Sequence, residues 1–316
     1  MVKRMRGLVL LSAIVGLLAC AERSRQGLPD DVEAISLLGD TLRAPALPDS
    51  LRQAREAQLA DAVANLEREP SSADPLIWVG RRAAYLGRYR EAIERFTDGV
   101  NRFPQDPRFY RHRGHRYITL RRFDLAVQDF ERAAQLIAGQ PDQVEPDGQP
   151  NARGIPTGTL QFNIWYHLGL AYYLQGDFAN ALRAYHECMA VSKNPDAVVA
   201  TSHWLYMTLR RLGRSADAAA VLQPITATMG IIENAAYHRL LLMYKGELPV
   251  DSLYGLGPDG QPSLENVTAA YGVGNWQLYN EHAAEAERVF RTVVTARSQW
   301  AAFGYIAAEA ELAKRP

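Results

Sequence analysis

Three stretches of the chain carry one arrangement of large apolar, small and polar positions. They read WVGRRAAYLGRYREAIERF (78–96), YRHRGHRYITLRRFDLAVQDFERA (110–133) and WYHLGLAYYLQGDFANALRAYHEC (165–188). In each, a small residue inside a first helix (Gly80, Gly114, Gly169) precedes a turn at Gly87, Arg121 or Gly176. An alanine and an aromatic residue four positions apart follow on a second helix: Ala92 and Phe96, Ala126 and Phe130, Ala181 and Tyr185. The first two stretches are 34 residues apart, and the third lies a further 55 along, one period plus an insertion of 21. Self-similarity at a fixed period is the mark of stacked supersecondary units. Glycine or alanine lets two antiparallel helices approach closely. Trp165, Tyr172, Phe178 and Tyr185 are the size of side chain that fills the space between hairpins. A single hairpin cannot bury its apolar face, so stacking must supply the core.

The spacing predicts further elements on either side. Residues 51–69 form one amphipathic helix, started by Asp49-Ser50 and stopped by Pro70. Downstream, weaker units are expected at 199–232, 232–262 and 267–300, the last with Gly274, Ala286 and Phe290 at the recurring intervals. The second helix of the unit at 232–262 is doubtful, because LPVDSLYGLGPDGQPS is dense in turn residues. WAAFGYIAAEAELAK predicts a terminal capping helix over 300–314. The insertion at 139–161 holds four Pro and four Gly and cannot be helix. It is either a surface connector or a loop folded across the groove as a lid or built-in occupant.

The three clear units, 73–106, 107–140 and 162–195, resemble tetratricopeptide (TPR) repeats, as found in uncharacterised bacterial TPR proteins. The resemblance implies an all-α, TPR-type right-handed helical solenoid of about five to six hairpins over 51–314. It also implies a scaffold or adaptor, not an enzyme, that holds a protein or peptide partner in a concave groove lined by the first helices.

The N-terminus changes where such an array would sit. Lys3, Arg4 and Arg6 precede an apolar run from Leu8 to Leu18, interrupted only by Ser12. That run is too short to span a bilayer and suits a signal-peptide core. It ends in Leu17-Leu18-Ala19-Cys20, which resembles the bacterial lipobox. The resemblance implies a signal peptide at 1–19, lipid attachment at Cys20 and a tether over 20–50. With Ala21 following, it also implies a lipid-anchored protein at the cell envelope, on the outer membrane facing the periplasm. The second cysteine, Cys188, then has no disulfide partner, and its place among small residues on a second helix predicts a buried packing role.

Composition is that of a folded soluble protein, with 47% hydrophobic and 22% charged residues and a formal net charge of zero. Loss of Lys3, Arg4 and Arg6 with the signal peptide leaves the mature chain near −3. No Walker-type loop, HExxH, GxSxG or CxxC is present, and no cofactor or metal is expected. Residues 78–122, however, hold twelve Arg, four acidic residues and no Lys. Arginine presents a planar fork that carboxylates and phosphates fit. The groove is therefore expected to show Arg81, Arg111, His112 and His115 from the first two units. Asn163, Tyr166 and His167 would come from the third, His203 and Trp204 from the fourth, and Glu233 and Tyr237 from the fifth.

Three readings of these residues compete. The first is a protein or peptide partner with carboxylates or acidic side chains, similar to TPR domains that clamp a C-terminal carboxylate but without matching that clamp residue for residue. The second is a metal- or small-ligand-binding enzyme subunit using His112, His167 and His203. The third is plain helix-packing side chains. Nucleic acid is not expected, and membrane contact would be through the lipid anchor alone.

Overall fold

The computed structural model describes residues 28–253 and 263–314. The signal peptide and Cys20 lie outside them. A two-stranded antiparallel hairpin, β1 (Val32–Ile35) and β2 (Thr41–Arg43), precedes thirteen α-helices. These are α1 (Asp49–Arg68), α2 (Ala73–Tyr85), α3 (Tyr89–Arg102), α4 (Pro107–Thr119), α5 (Phe123–Ile137), α6 (Leu160–Gln175) and α7 (Phe178–Val191). They continue as α8 (Pro195–Arg211), α9 (Ser215–Leu222), α10 (Ala235–Tyr244), α11 (Leu264–Tyr279), α12 (Ala283–Val293) and α13 (Phe303–Ala313). Side chains at several helix starts satisfy backbone N–H groups that have no partner within the helix. Asp106, Thr159, Asp177, Asn194 and Ser263 each accept such a bond. Among the described residues no helix is long and apolar enough to cross a membrane.

The helices pack in antiparallel pairs: α2 with α3, α4 with α5, α6 with α7, α8 with α9, and α11 with α12. The small residue of each first helix faces the aromatic residue sixteen positions on. A Cβ placed on Gly80 would lie 2.5 Å from the Phe96 ring, on Gly114 2.9 Å from Phe130, on Gly169 2.6 Å from Tyr185 and on Gly274 2.7 Å from Phe290. All four rings are fully buried. Gly80, Gly114 and Gly169 therefore hold equivalent places, as the 34-residue period requires. In the fifth unit α10 is followed by a 3₁₀ turn at Val250–Ser252. It packs on α8 and α11.

Two expectations need correction. The stretch expected as a tether carries the β1–β2 hairpin, which buries Val32, Ala34 and Leu42. Seven strand residues give too short an alternation to stand out in sequence, and the hairpin gains its hold from helices far along the chain. Arg90 donates to the Val32 carbonyl at 2.9 Å, and Trp300 Nε1 donates to the Arg43 carbonyl at 2.6 Å. The second concerns α13, which packs on the last pair, α11 and α12, where a cap would sit, but also covers part of the inner face. Every residue from Gly304 to Leu312 is buried, because the helix lies against the inner face made by the first helices. Phe303 touches His115, Tyr166 and His167. Glu309 pairs with Arg121 at 2.6 Å, and Glu311 pairs with Arg211 at 2.8 Å.

Arg121 occupies the turn position that glycine takes at Gly87 and Gly176, with φ of 61°. A side chain there costs about 1 kcal/mol or more. The guanidinium offsets that cost. It donates to Glu309, to the Trp300 carbonyl at 2.9 Å and to the Thr119 carbonyl at 2.5 Å.

Gly169→Leu should overpack α6 against Tyr185 and cost about 1–3 kcal/mol or more. The check is urea unfolding followed by circular dichroism. An unchanged midpoint would remove Gly169 from the close contact described here.

Candidate functional site

The concave face divides into two regions. Under α13 it is filled. Tyr166 accepts a hydrogen bond from Trp204 Nε1 at 2.8 Å and shares one with Tyr237 at 3.1 Å. His203 is sandwiched between Tyr237 (ring centroids 4.6 Å apart) and Tyr244 (5.9 Å). His167 is stacked on Phe130, and its Nδ1 lies 2.5 Å from the Asn163 carbonyl oxygen, to which it donates. Tyr166, His167, His203, Trp204 and Tyr237 thus form an aromatic layer of the core and are not groove residues open to a partner. Burial among rings penalises the imidazolium, so His167 and His203 are both pushed down to about 3. Among the described residues no three His, Cys, Asp or Glu side chains converge as metal ligands, and His112, His167 and His203 sit apart in separate packing sites.

Beyond the edge of α13 a cavity of about 330 Å³ remains. Arg81 and Tyr85 reach it from α2, and Arg111, His112, His115 and Arg116 from α4. Asn163 enters from the first turn of α6, and Glu233 stands at the rim. Six of the eleven expected groove residues are therefore brought together here: Arg81, Arg111, His112, His115, Asn163 and Glu233. Residues 145–158 of the insertion form the remaining wall. That segment closes on itself at an isolated bridge between Val144 and Thr159 and crosses the face. Of the two readings of the insertion, the structure shows the lid.

The electrostatics are unbalanced. Glu145, carried by the insertion, places Oε2 2.9 Å from Arg111 Nε and accepts from Asn163 Nδ2 at 3.0 Å. The Arg111 Nε–H is not aligned as a hydrogen bond despite the short distance. Arg111 Nη1 donates to His112 Nδ1 at 3.0 Å, which leaves the His112 proton on Nε2, 3.8 Å from Glu145. Arg81 is buried, with its guanidinium over the Trp78 ring and bonded to the Tyr85 hydroxyl at 3.2 Å. Arg116 is half-buried with its guanidinium 5.4 Å from the Tyr89 ring centroid. Among the described residues no carboxylate lies within ion-pair distance of Arg81 or Arg116. Burial drives Arg111 down from its usual range, against the pull of Glu145, and Arg116 to about 10, with Arg81 lowering both and Arg111 also lowering Arg116. His112 and His115 are held well below their ordinary value, first by burial and then by these neighbouring cations. The site is a partly dehydrated pocket lined by three guanidiniums and three carboxylates, Glu145, Asp147 and Glu233, of which Glu145 alone lies within ion-pair distance of a cavity guanidinium.

Sequence reasoning missed Arg116, Tyr85 and Glu145. The first two were findable, since each lies one helical turn beyond an expected residue, at His112 and Arg81. Nothing local marks Glu145. Cys188 has no part in the site. It is buried at α7, its Sγ 3.1 Å from Thr201 Oγ1, and burial pushes its thiol up to about 12.

Residues 162–195 match the tetratricopeptide repeat family. A search of curated protein sequences found no match. Among solved structures the chain is similar to YrrB, described as a TPR protein with an unusual peptide-binding site, at 14% identity and a TM-score of 0.42; the match covers 74% of this chain and 91% of that one. It is also similar to MamA at 15% identity and a TM-score of 0.42, covering 66% of this chain and 92% of MamA.

The buried imidazoles set a pH dependence. In the unfolded chain His167 and His203 bind protons near pH 6.5, whereas in the folded chain they do so only near 3. Stability is therefore full above about pH 6.5 and is lost as pH falls toward 3, by up to about 1.4 kcal/mol per pH unit for each imidazole. Urea unfolding at pH 7.5 and 5.0 should show a loss on the order of 2–4 kcal/mol. A His203→Phe variant should lose less, and equal pH slopes in the two proteins would contradict the burial of a neutral His203. Helix pairs alternate around an inner face, and the pair at 162–195 matches the tetratricopeptide repeat family.

Proposed function

We propose that the protein is a non-enzymatic scaffold at the bacterial cell envelope that captures an acidic, carboxylate-bearing segment of a protein or peptide partner in the arginine cavity. One observation carries this reading. Arg81 and Arg116 face a partly dehydrated cavity beside Arg111 with no carboxylate of their own. A buried cation without a counter-charge is costly, and an incoming carboxylate would supply one. Arginine forks also give such an anion bidentate geometry. The rest of the inner face is occupied by α13, so the partner would engage the array at this end. The separated histidines give the metal-dependent alternative no converging ligand set.

The envelope location rests on Lys3, Arg4, Arg6, the apolar run and Cys20. Acylation at Cys20 would anchor the chain stably, and Cys20→Ser should move it from the membrane to the soluble fraction on fractionation of cells. Retention in the membrane fraction would rule out lipidation as the anchor.

Charge-assisted hydrogen bonds contribute about 1.5–3 kcal/mol each. Replacing Arg81 and Arg116 together by Gln should therefore weaken binding of an acidic peptide by on the order of 100-fold while leaving the melting temperature near that of wild type. Fluorescence anisotropy with labelled hexaglutamate measures this, and equal affinities for variant and wild type would refute the cavity as the binding site.

A further inference from the structure

The insertion supplies both the wall of the cavity and the one lining carboxylate that pairs with a cavity guanidinium, and these two facts belong together. Between Gln140 and Thr159 it forms a strap from α5 to α6 across the inner face. Its large apolar side chains do not hold it there: Val144 is 62% exposed and Ile155 50% exposed, each far above any core residue. Only Gly148 among residues 140–159 is buried. What holds the strap is polar and sparse. Arg82 Nη1 donates to the Gly148 carbonyl at 3.1 Å, and Asn194 Nδ2 donates to the Thr157 carbonyl at 2.8 Å. Asn151 and Thr157 donate to the exposed Glu233 carboxylate at 2.8 and 2.5 Å. The two bonds to Glu233 are exposed and contribute little, whereas those from Arg82 and Asn194 are half-buried. The Glu145 contact with Arg111 and Asn163 differs, since its side chain is 12% exposed and faces a guanidinium that is nearly as well buried.

We propose that Glu145 is an internal ligand of the cavity, and that the strap is a displaceable cover which an acidic segment of the partner releases by taking the Glu145 place against Arg111 and Asn163. This rests on the acidic-segment reading above and adds its regulation. Free protein would keep the Arg111 guanidinium occupied and its cavity covered. A partner would then need a carboxylate that outcompetes a tethered one, which sets a threshold on affinity and excludes weakly acidic surfaces. Segments with several carboxylates are favoured, because one can replace Glu145 while others meet Arg81 and Arg116. Release turns on Gly139 at the strap's origin, which already has φ of 71°. Gly148 marks how closely the closed strap seats. A Cβ there would lie 2.0 Å from the Tyr85 hydroxyl and 2.9 Å from Arg81 Nη2, so any larger residue must displace either the strap or the ends of those two side chains.

Two variants of the full chain test this by different routes. Glu145→Gln keeps the shape and the acceptor for Asn163 but removes the charge. Gly148→Ala leaves Glu145 intact and crowds the strap against Tyr85 and Arg81, and exchange at the strap base reads whether the strap lifts. Labelled hexaglutamate should bind either variant about 10-fold more tightly than wild type. Hydrogen exchange at the Glu145 and Leu160 amides, which donate to Gly158 and Gln143 across the strap base, should quicken at least 10-fold while α4 amides stay unchanged. Hexaglutamate binding to wild type and both variants with equal affinity, at unchanged exchange, would overturn the strap's role and leave the acidic-segment reading intact. Weaker binding by Glu145→Gln would likewise overturn it, making Glu145 an orienting partner of Arg111 instead of a competitor. Faster exchange with no binding by any of the three chains would defeat the acidic-segment reading, and the competitor role with it.

Discussion

A missing side chain sets the geometry of the array. At Gly80, Gly114, Gly169 and Gly274 the first helix of a hairpin presents bare backbone, and the ring sixteen residues on lies where a Cβ would be. The ring is too large to be accommodated between helices at ordinary side-chain separation, so glycine and aromatic must occur together. Where the pattern changes, the sizes trade places. Tyr206 stands at the glycine position of the α8–α9 pair, and Leu222, smaller than any of the four rings, at the aromatic one. α8 instead stacks Tyr206 on Tyr244 of α10, with ring centroids 4.4 Å apart. Interior packing tolerates such exchange only when volume is conserved.

Paired helices leave an inner face, and α13 decides how much of it is available. Its two carboxylates, Glu309 and Glu311, are buried against Arg121 and Arg211. Breaking such a buried pair by removing one partner is far more costly than losing a surface pair. The left-handed Arg121 shows how tightly this docking is specified, since a residue replaces the expected glycine in order to reach the helix. The division of the face into a packed aromatic layer and an open basic cavity follows from where α13 stops. The same arginine-rich sequence supplies both kinds of site. Arg121 is neutralised within the core, whereas Arg81 and Arg116 are left facing the cavity.

Helix pairing and register were legible because they rest on local spacing. A glycine, an alanine and an aromatic residue at constant intervals carry the whole hairpin geometry. About half of the cavity was legible for the same reason, since Arg81, Arg111, His112 and His115 follow from placing residues on the first helices. Three features were not. The β1–β2 hairpin and the course of α13 depend on contacts made some 250 residues away, and no local pattern encodes them. The fate of His167 depended in turn on Phe303 of α13, that of His203 on Tyr237 and Tyr244 of α10, and that of Trp204 on Tyr271 of α11. Glu145 lies in a segment with no periodicity at all, and only the path of the strap brings it to Arg111.

The meeting of the first ordered strand pair with the last helix has a temporal consequence. In an open repeat array each unit needs only its neighbour, so assembly can follow the chain as it emerges. Here Leu37 donates its amide to Glu309, and Trp300 bonds to Arg43. Residues 37–43 and 300–309 must find one another before the interior is dry. Contacts of such separation slow folding, because a long loop must be closed before they form. A nascent chain therefore leaves the rings of His115, Tyr166 and His167 without their cover until Phe303 and the rest of α13 have been made.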